Sequence, residues 1–298
     1  MYQRAEQRLT MRIALFLAAT LAGAAVPACA QGPDLTYLQT YVWRGGGDET
    51  FGGFSAIELR EDGSGFIALS DRGRITEGQL LRDAEMRITG VEAAPLRLLG
   101  NGAGGVLARR RSDSEGLALA PDGEIFISFE GATRVRTQTG PDGGPAALPI
   151  PDGFRRMQNN SSLEALAVDA EGRLYTLPER SGRLDRPFPV YRFDGDAWRV
   201  AFDLPRTGPF LPVGADVGPD GLLYILERDF TGVGFRARIR RMALDGTGLE
   251  ELLVTGRHDN LEGISVWHDG ESLRITMISD DNFNWFQRTE IVEYRVQD

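Results

Sequence analysis

Carboxylates recur in this sequence where a β-strand has no need of them. "SEGLALAPDGEIFISFE" (114–130) opens on Glu115, turns at Asp122-Gly123 and closes on Glu130. "LEALAVDAEGRLYTLPE" (163–179) repeats the pattern with Glu164 and Glu179, and "LEGISVWHDGESLRITMISDD" (261–281) repeats it with Glu262, Asp280 and Asp281. Two further copies keep only the closing acid. "FSAIELREDGSGFIALSDR" (54–72) has Asp71 but Ser55 at the opening position, and "GADVGPDGLLYILER" (214–228) has Glu227 but is preceded by Val213. Asp113, Ser162 and Asn260 stand two residues before the opening glutamates, and Asp216 is another nearby oxygen donor. Arg72, Arg180 and Arg228 directly follow a closing acid. Gathered together, such carboxylates repel one another unless something neutralises them. A divalent cation does so: Ca²⁺ takes oxygen ligands and needs neither His nor Cys. Guanidinium groups do so too, and metal and arginine together suit a phosphate ester. In the alternative reading the acids only satisfy backbone donors in their loops.

The elements that carry these residues are internal repeats. Aligned on Asp62, Asp122, Glu171, Asp220 and Asp269, each followed by glycine, the copies lie 60, 49, 49 and 49 residues apart. Acid-Gly between two apolar runs is a hairpin signal. Further strands are expected in "PVYRFDG" (189–195), "WRVAFDL" (198–204), "ARIRRMALDG" (237–246) and "LEELLVTG" (249–256). About four strands per 50-residue unit and no convincing helix predict an all-β fold, a β-propeller with five visible four-stranded repeats. Six blades are the alternative if the longer first interval hides one, and an open sandwich of hairpins is the other. "LTYLQTYVWRG" (35–45) lacks a partner hairpin and the last unit lacks an outer strand, so the N-terminal strand is expected to close the ring. In a blade the start of the first strand and the end of the antiparallel second share one end of the channel. The opening and closing acids should therefore converge there.

Composition excludes other chemistry. The net charge is −10, which argues against nucleic acid and an anionic membrane as partners. No lysine occurs, so Schiff-base and lysine-nucleophile mechanisms are out. Cys29 is the only cysteine, leaving no disulfide and no thiolate metal site. With only His258 and His268 and no G-x-S-x-G, a serine triad is disfavoured; His258 has a place near the site, His268 in a solvated turn. "GNGAGGVLARRR" (100–111) reads as a flexible loop rather than a phosphate cradle, its Arg109–Arg111 cluster as a solvated loop with anion attraction the alternative, and 139–153 as a Pro/Gly-rich insertion that covers the channel mouth or simply connects strands. Trp285 and Phe286 are expected to line a pocket or pack in the core. At the N-terminus "MRIALFLAATLAGAAVPACA" has the make-up of a secretory signal over 1–30, with Met11 a candidate start. That predicts a single domain over 31–298, periplasmic or secreted and monomeric, with no membrane span. A lipoprotein anchored through Cys29 is the alternative.

"SEGLALAPDGEIFIS", "NSSLEALAVDAEGRLYTLPE" and above all "DNLEGISVWHDGESLRITMISDDNFNWFQRTEIVEY" resemble the phytase-like family, "esterase-like activity of phytase", over roughly 50–296. The resemblance implies a propeller with acidic blade ends and phytase- or phosphodiesterase-like hydrolysis using calcium ions. Glu115, Glu164, Glu262, Asp280 and Asp281 occupy the family's acidic positions, whereas Val213 and Ser55 depart from it. The expectation is thus a metal-dependent hydrolase of a small phosphorylated or ester substrate. Glu115, Glu164 and Glu262 are the catalytic candidates, and Arg72, Arg180 and Arg228 hold substrate. The metal candidates are Asp71, Glu115, Glu130, Glu164, Glu179, Glu227, Glu262, Asp280 and Asp281. A non-catalytic propeller with a structural calcium ion and a metal-dependent lactonase or carboxyl esterase are the alternatives.

Overall fold

The computed structural model describes residues 35–138, 146–158 and 161–297. The expected leader, Cys29 and part of the 139–153 insertion lie outside the described residues. Strands follow one another almost without interruption. They are β1 (Leu35–Val42), β2 (Phe54–Leu59), β3 (Gly65–Ser70), β4 (Arg74–Arg82), β5 (Ile88–Ala93), β6 (Arg97–Leu98) and β7 (Ser114–Leu119). Next come β8 (Ile125–Phe129), β9 (Arg134–Gln138), β10 (Ala146–Ala147), β11 (Leu163–Val168), β12 (Leu174–Pro178), β13 (Phe188–Phe193) and β14 (Trp198–Leu204). The last are β15 (Leu211–Val217), β16 (Leu222–Phe230), β17 (Phe235–Ala243), β18 (Glu250–Thr255), β19 (Asn260–His268), β20 (Leu273–Asp280) and β21 (Glu290–Val296). Among the described residues the only helical turns are Asp152–Arg155 and Arg109–Arg111.

The strands form five antiparallel sheets: β2–β5, β7–β10, β11–β14, β15–β18, and a fifth ordered β19, β20, β21, β1. We number these blades one to five. The long first interval hides no sixth blade. Its extra residues make β6, which pairs with Arg74 and Ile75 of β4, and the loop 99–113 that carries the helical turn Arg109–Arg111. The ring closes as expected, with β1 pairing along β21 from Leu35↔Val296 to Val42↔Glu290.

Local chemistry explains the hairpins. Gly63, Gly123, Gly172, Gly221 and Gly270 all adopt positive φ, which glycine alone takes without cost. Beside them Asp62, Asp122, Asp220 and Asp269 accept amides two residues on, the Asx-turn device. In blade three the acid doing this is Asp169, not Glu171. The core is five clusters, one between each pair of neighbouring blades. Trp267 and Ile278 of blade five, for example, pack on Phe54, Ile57 and Phe66 of blade one. The innermost strands β2, β7, β11, β15 and β19 wall the central channel.

Candidate functional site

Every innermost strand carries an irregularity at the same place. Pairing slips between Phe54 and Ala56, Ser114 and Leu117, Leu163 and Ala165, Pro212 and Gly214, and Leu261 and Gly263. The residues skipped include Ser55, Glu115, Glu164, Val213 and Glu262, the opening position of every repeat. A β-bulge frees one residue from the ladder and re-aims its side chain. Here it turns the opening residue of each blade to the channel. Small residues follow the bulge because the walls close there: a Cβ on Gly214 would stand 2.5 Å from the Glu262 carbonyl, and one on Gly116 2.7 Å from that of Glu164.

The closing acids meet this ring from the second strands. The amides of Glu130 and Glu179 donate to the carbonyls of Asp113 and Ser162, and Asn260 pairs with Asp280. Carboxylate oxygens of Asp113, Glu115 and Glu130 lie within 4.8 Å of one another. Glu130 and Glu164 face each other, and burial raises both carboxyls above the usual range. Burial, then the charges of Glu262, Glu130, Asp113 and Asp71, pushes Glu115 well above the usual carboxylate range. Burial and then Glu115 do the same to Glu164. Burial raises Asp71 to about 6 even though Arg72 pulls it down, and burial with Glu262 raises Asp280 to about 8. These acids are packed closer than their charges allow without a counter-ion.

One counter-charge is built in. Arg228 donates to Asn260 Oδ1 at 2.8 Å, pairs with Glu262, and lies 3.5 Å from Glu179. Burial opposes its charge, but Glu262, Glu164, Glu179 and Asp280 hold it firmly ionised. Blade four, one of the two that lack the opening acid, with Val213 in its place, thus supplies a guanidinium instead. Of the other two arginines, Arg180 pairs with Glu179 at 3.3 Å and Arg72 stacks over Phe283 at 3.2 Å. Beside Asp71 and Asp113 a cleft of about 570 Å³ opens, lined also by Arg72, Arg74, Arg109, Leu98 and Leu107.

Over residues 49–283 the sequence matches the phytase-like family, described as "esterase-like activity of phytase". The chain belongs to this family. No curated protein matches it. Among solved structures, this phytase-like chain is similar to the catalytic domain of the Coprinopsis cinerea GH62 α-L-arabinofuranosidase, at 10% identity over 89% of this chain and 97% of that one, with a TM-score of 0.55. It is also similar to the Podospora anserina α-L-arabinofuranosidase in complex with cellotriose, at 12% identity over 88% and 97%, with a TM-score of 0.52. At such identities the likeness is one of fold.

Several expected site residues of the phytase-like chain are engaged elsewhere. Glu227 is fully buried between Arg238 and Arg240 of its own blade, at 2.6 Å from each. Asp281 holds a turn: it accepts the amides of Gly53 and Phe283 at 2.9 and 3.0 Å. Asp280 accepts the amide of Asn282. Asn282 and Phe283 both sit at positive φ, a strained pair that the two aspartates pin in place. Asp216 points to another layer of the channel, three residues along β15, where it accepts the Val266 amide at 2.6 Å and couples to Glu58. Ser55 donates to the Ser114 carbonyl. His258 meets the Tyr294 hydroxyl at 2.7 Å and stacks near Tyr37, away from the carboxylates. Trp285 and Phe286 neither line the cleft nor join the core; both are exposed. Sequence reasoning missed Glu58 and Arg74. Glu58 sits three residues after an opening position, as Asp216 does, and that shared offset was its only signal.

Proposed function

We propose that this phytase-like propeller is a divalent-cation-dependent hydrolase of phosphoric esters. One observation carries the reading: the Asp113, Glu115 and Glu130 cluster opens onto an arginine-lined cleft of which Asp113 is itself a wall. The donor set fits a hard cation, since it is all oxygen, with Glu115 and Glu130 buried and Asp113 half-buried at the cleft. Ca²⁺ suits it best among the common ions. A cation held there would polarise a phosphoryl oxygen and make a nearby water more acidic.

The chain's own residues would do the rest. Arg72, Arg74 and Arg109 orient the phosphate oxygens from the cleft side. Burial raises both Glu130 and Glu164 above the usual carboxylate range, the direction that suits general acid–base work at the leaving group. Glu262, held by Asn260 and Arg228, fixes the far side of the ring. The non-catalytic reading, a structural ion, draws support from Asp280 and Asp281, which already spend oxygens on a strained turn.

Calcium titration by calorimetry and hydrolysis of bis(p-nitrophenyl) phosphate, each with the parent and Glu115→Gln, separate the readings. We expect saturable Ca²⁺ binding and turnover, both lost with EDTA and both weakened at least tenfold in the variant. Binding without turnover of any phosphate ester leaves the structural ion. No binding at all sinks the cation reading.

A further inference from the structure

The disc has two unlike faces. The hairpin turns at one end of the channel carry Asp62, Asp122, Glu171, Asp220, Asp245 and Asp269. The loops at the other end, where the carboxylate ring opens, carry arginines and bare apolar side chains. Leu184, Phe230, Val233, Trp285 and Phe286 are exposed by 78, 62, 98, 95 and 65%. They come from three separate blades, and all lie at the end of a second strand or in the loop joining it to the third. Val106 in the loop before β7 adds a fourth blade to this rim. Exposed Arg110, Arg180, Arg183 and Arg288 interleave with them.

Scattered single hydrophobics are ordinary on a protein surface, but five at one end are not. Their setting matters as much as their number. Val233 stands between Gly232 and Gly234, around both of which the space is open. Trp285 meets the Phe286 ring edge-on, and the Phe230 ring lies tilted against Phe235. These are separate tips around a pit rather than one flat patch, a poor match for a protein partner and a good one for a deformable surface. Tryptophan and phenylalanine beside arginine is also the make-up that settles at the headgroup level of a bilayer.

We propose that this face docks on a phospholipid bilayer bearing anionic headgroups, with the apolar tips in the headgroup region and the rim arginines on the phosphates. The net charge of −10 opposes such docking only if it is spread evenly. Here the acidic hairpin turns face away from the surface and the ring carboxylates sit buried in the channel mouth, while Asp48, Glu49 and Asp185 stay exposed at the docking end, the last of them paired with Arg183. The proposal does not depend on whether those carboxylates hold a cation or catalyse anything.

The molecule carries its own reporter. Of its four tryptophans, Trp43, Trp198 and Trp267 are buried and Trp285 is bare. The experiment is flotation of the full chain with phosphatidylcholine vesicles, with and without phosphatidylglycerol, alongside tryptophan emission, all in EDTA. We expect co-flotation and a blue shift, stronger on the anionic vesicles and weakened by about 1 M salt, where screening reaches ~3 Å. Trp285→Ser with Phe286→Ser should lower partitioning at least tenfold, as should Phe230→Ser with Val233→Ser in a different loop, while both variants keep the parent's melting temperature. Glu115→Gln should float like the parent. Absence of flotation and shift on both vesicle types, or undiminished flotation of both double variants, overturns the proposal. So does capture of this face by a protein in the absence of any vesicle binding.

Discussion

Replacing Asp216 by asparagine should make the protein more stable at alkaline pH and leave it nearly unchanged in acid. Asp216 is buried in the channel wall, where burial lifts its carboxyl to about 7 although the Val266 and Val217 amides pull the other way. Its buried neighbour Glu58 is raised too, by burial and by Asp216 itself. In the unfolded chain Asp216 returns to its ordinary value of 3.8. Between these values the native state holds a proton that the unfolded state has lost, so stability falls as pH rises through that window. Three pKa units at ~1.4 kcal/mol each make the full cost on the order of 4 kcal/mol, reached above about pH 7. Asparagine keeps the oxygen that accepts the Val266 amide and cannot ionise. Urea unfolding of parent and variant from about pH 4 to pH 9 measures the difference. The two stabilities should coincide near pH 4 and diverge by several kcal/mol at pH 8, in favour of the variant. A difference that stays flat with pH, or that favours the parent in alkali, refutes the reasoning.

Other outcomes follow from the same geometry. Arg228→Met leaves Glu262 without its counter-charge and Glu179 with Arg180 alone, and should cost about 3 kcal/mol. Saturating Ca²⁺ should recover much of that loss in thermal melts, and a loss indifferent to Ca²⁺ would count against a cation site in the ring. Gly53→Ala should destabilise by about 2 kcal/mol, because its φ is +63° and a Cβ would stand 2.3 Å from Phe283 and 2.5 Å from Asp71. Gly232→Ala, at φ +90° in open space, should cost only about half as much. Glu293→Gln removes the charge on blade five that pairs with Arg82 of blade one at 2.7 Å, and a loss of about 3 kcal/mol is expected in chemical denaturation.

The blades were legible because each is written locally: two apolar runs and an acid-Gly turn at a spacing of 49. Where a unit departs from that spacing, as in the first interval, sequence alone left five and six blades open. The extra residues make β6 and a loop rather than a sheet. Convergence of the opening and closing acids was legible for the same topological reason. What each acid does was not. Glu227 and Glu179 occupy equivalent positions, yet Arg238 and Arg240, on the neighbouring strand, claim only the first. Arg228 entered the expectation as a substrate ligand, while its place beside Glu262 depends on an adjacent blade. The bulges that aim Glu115, Glu164 and Glu262 arise from strand pairing and left no separate mark in the sequence. Trp285 and Phe286 could not be read as exposed, because a loop's apolar residues look the same whether something covers them or not.

The closing pair of strands also dictates the order in which the molecule can be made. Gln39 bonds Glu293 across 254 residues of chain, so the ring cannot shut until both of its outermost strands are present. Blade five stays a three-stranded sheet until then, with β21 an open edge offering unpaired backbone to whatever strand arrives first. Closure over such a span is slow relative to forming the local hairpins. At high concentration a neighbour's β1 competes for that edge. Refolding yield should therefore fall with protein concentration, and the by-product should be copies that have exchanged their first strands.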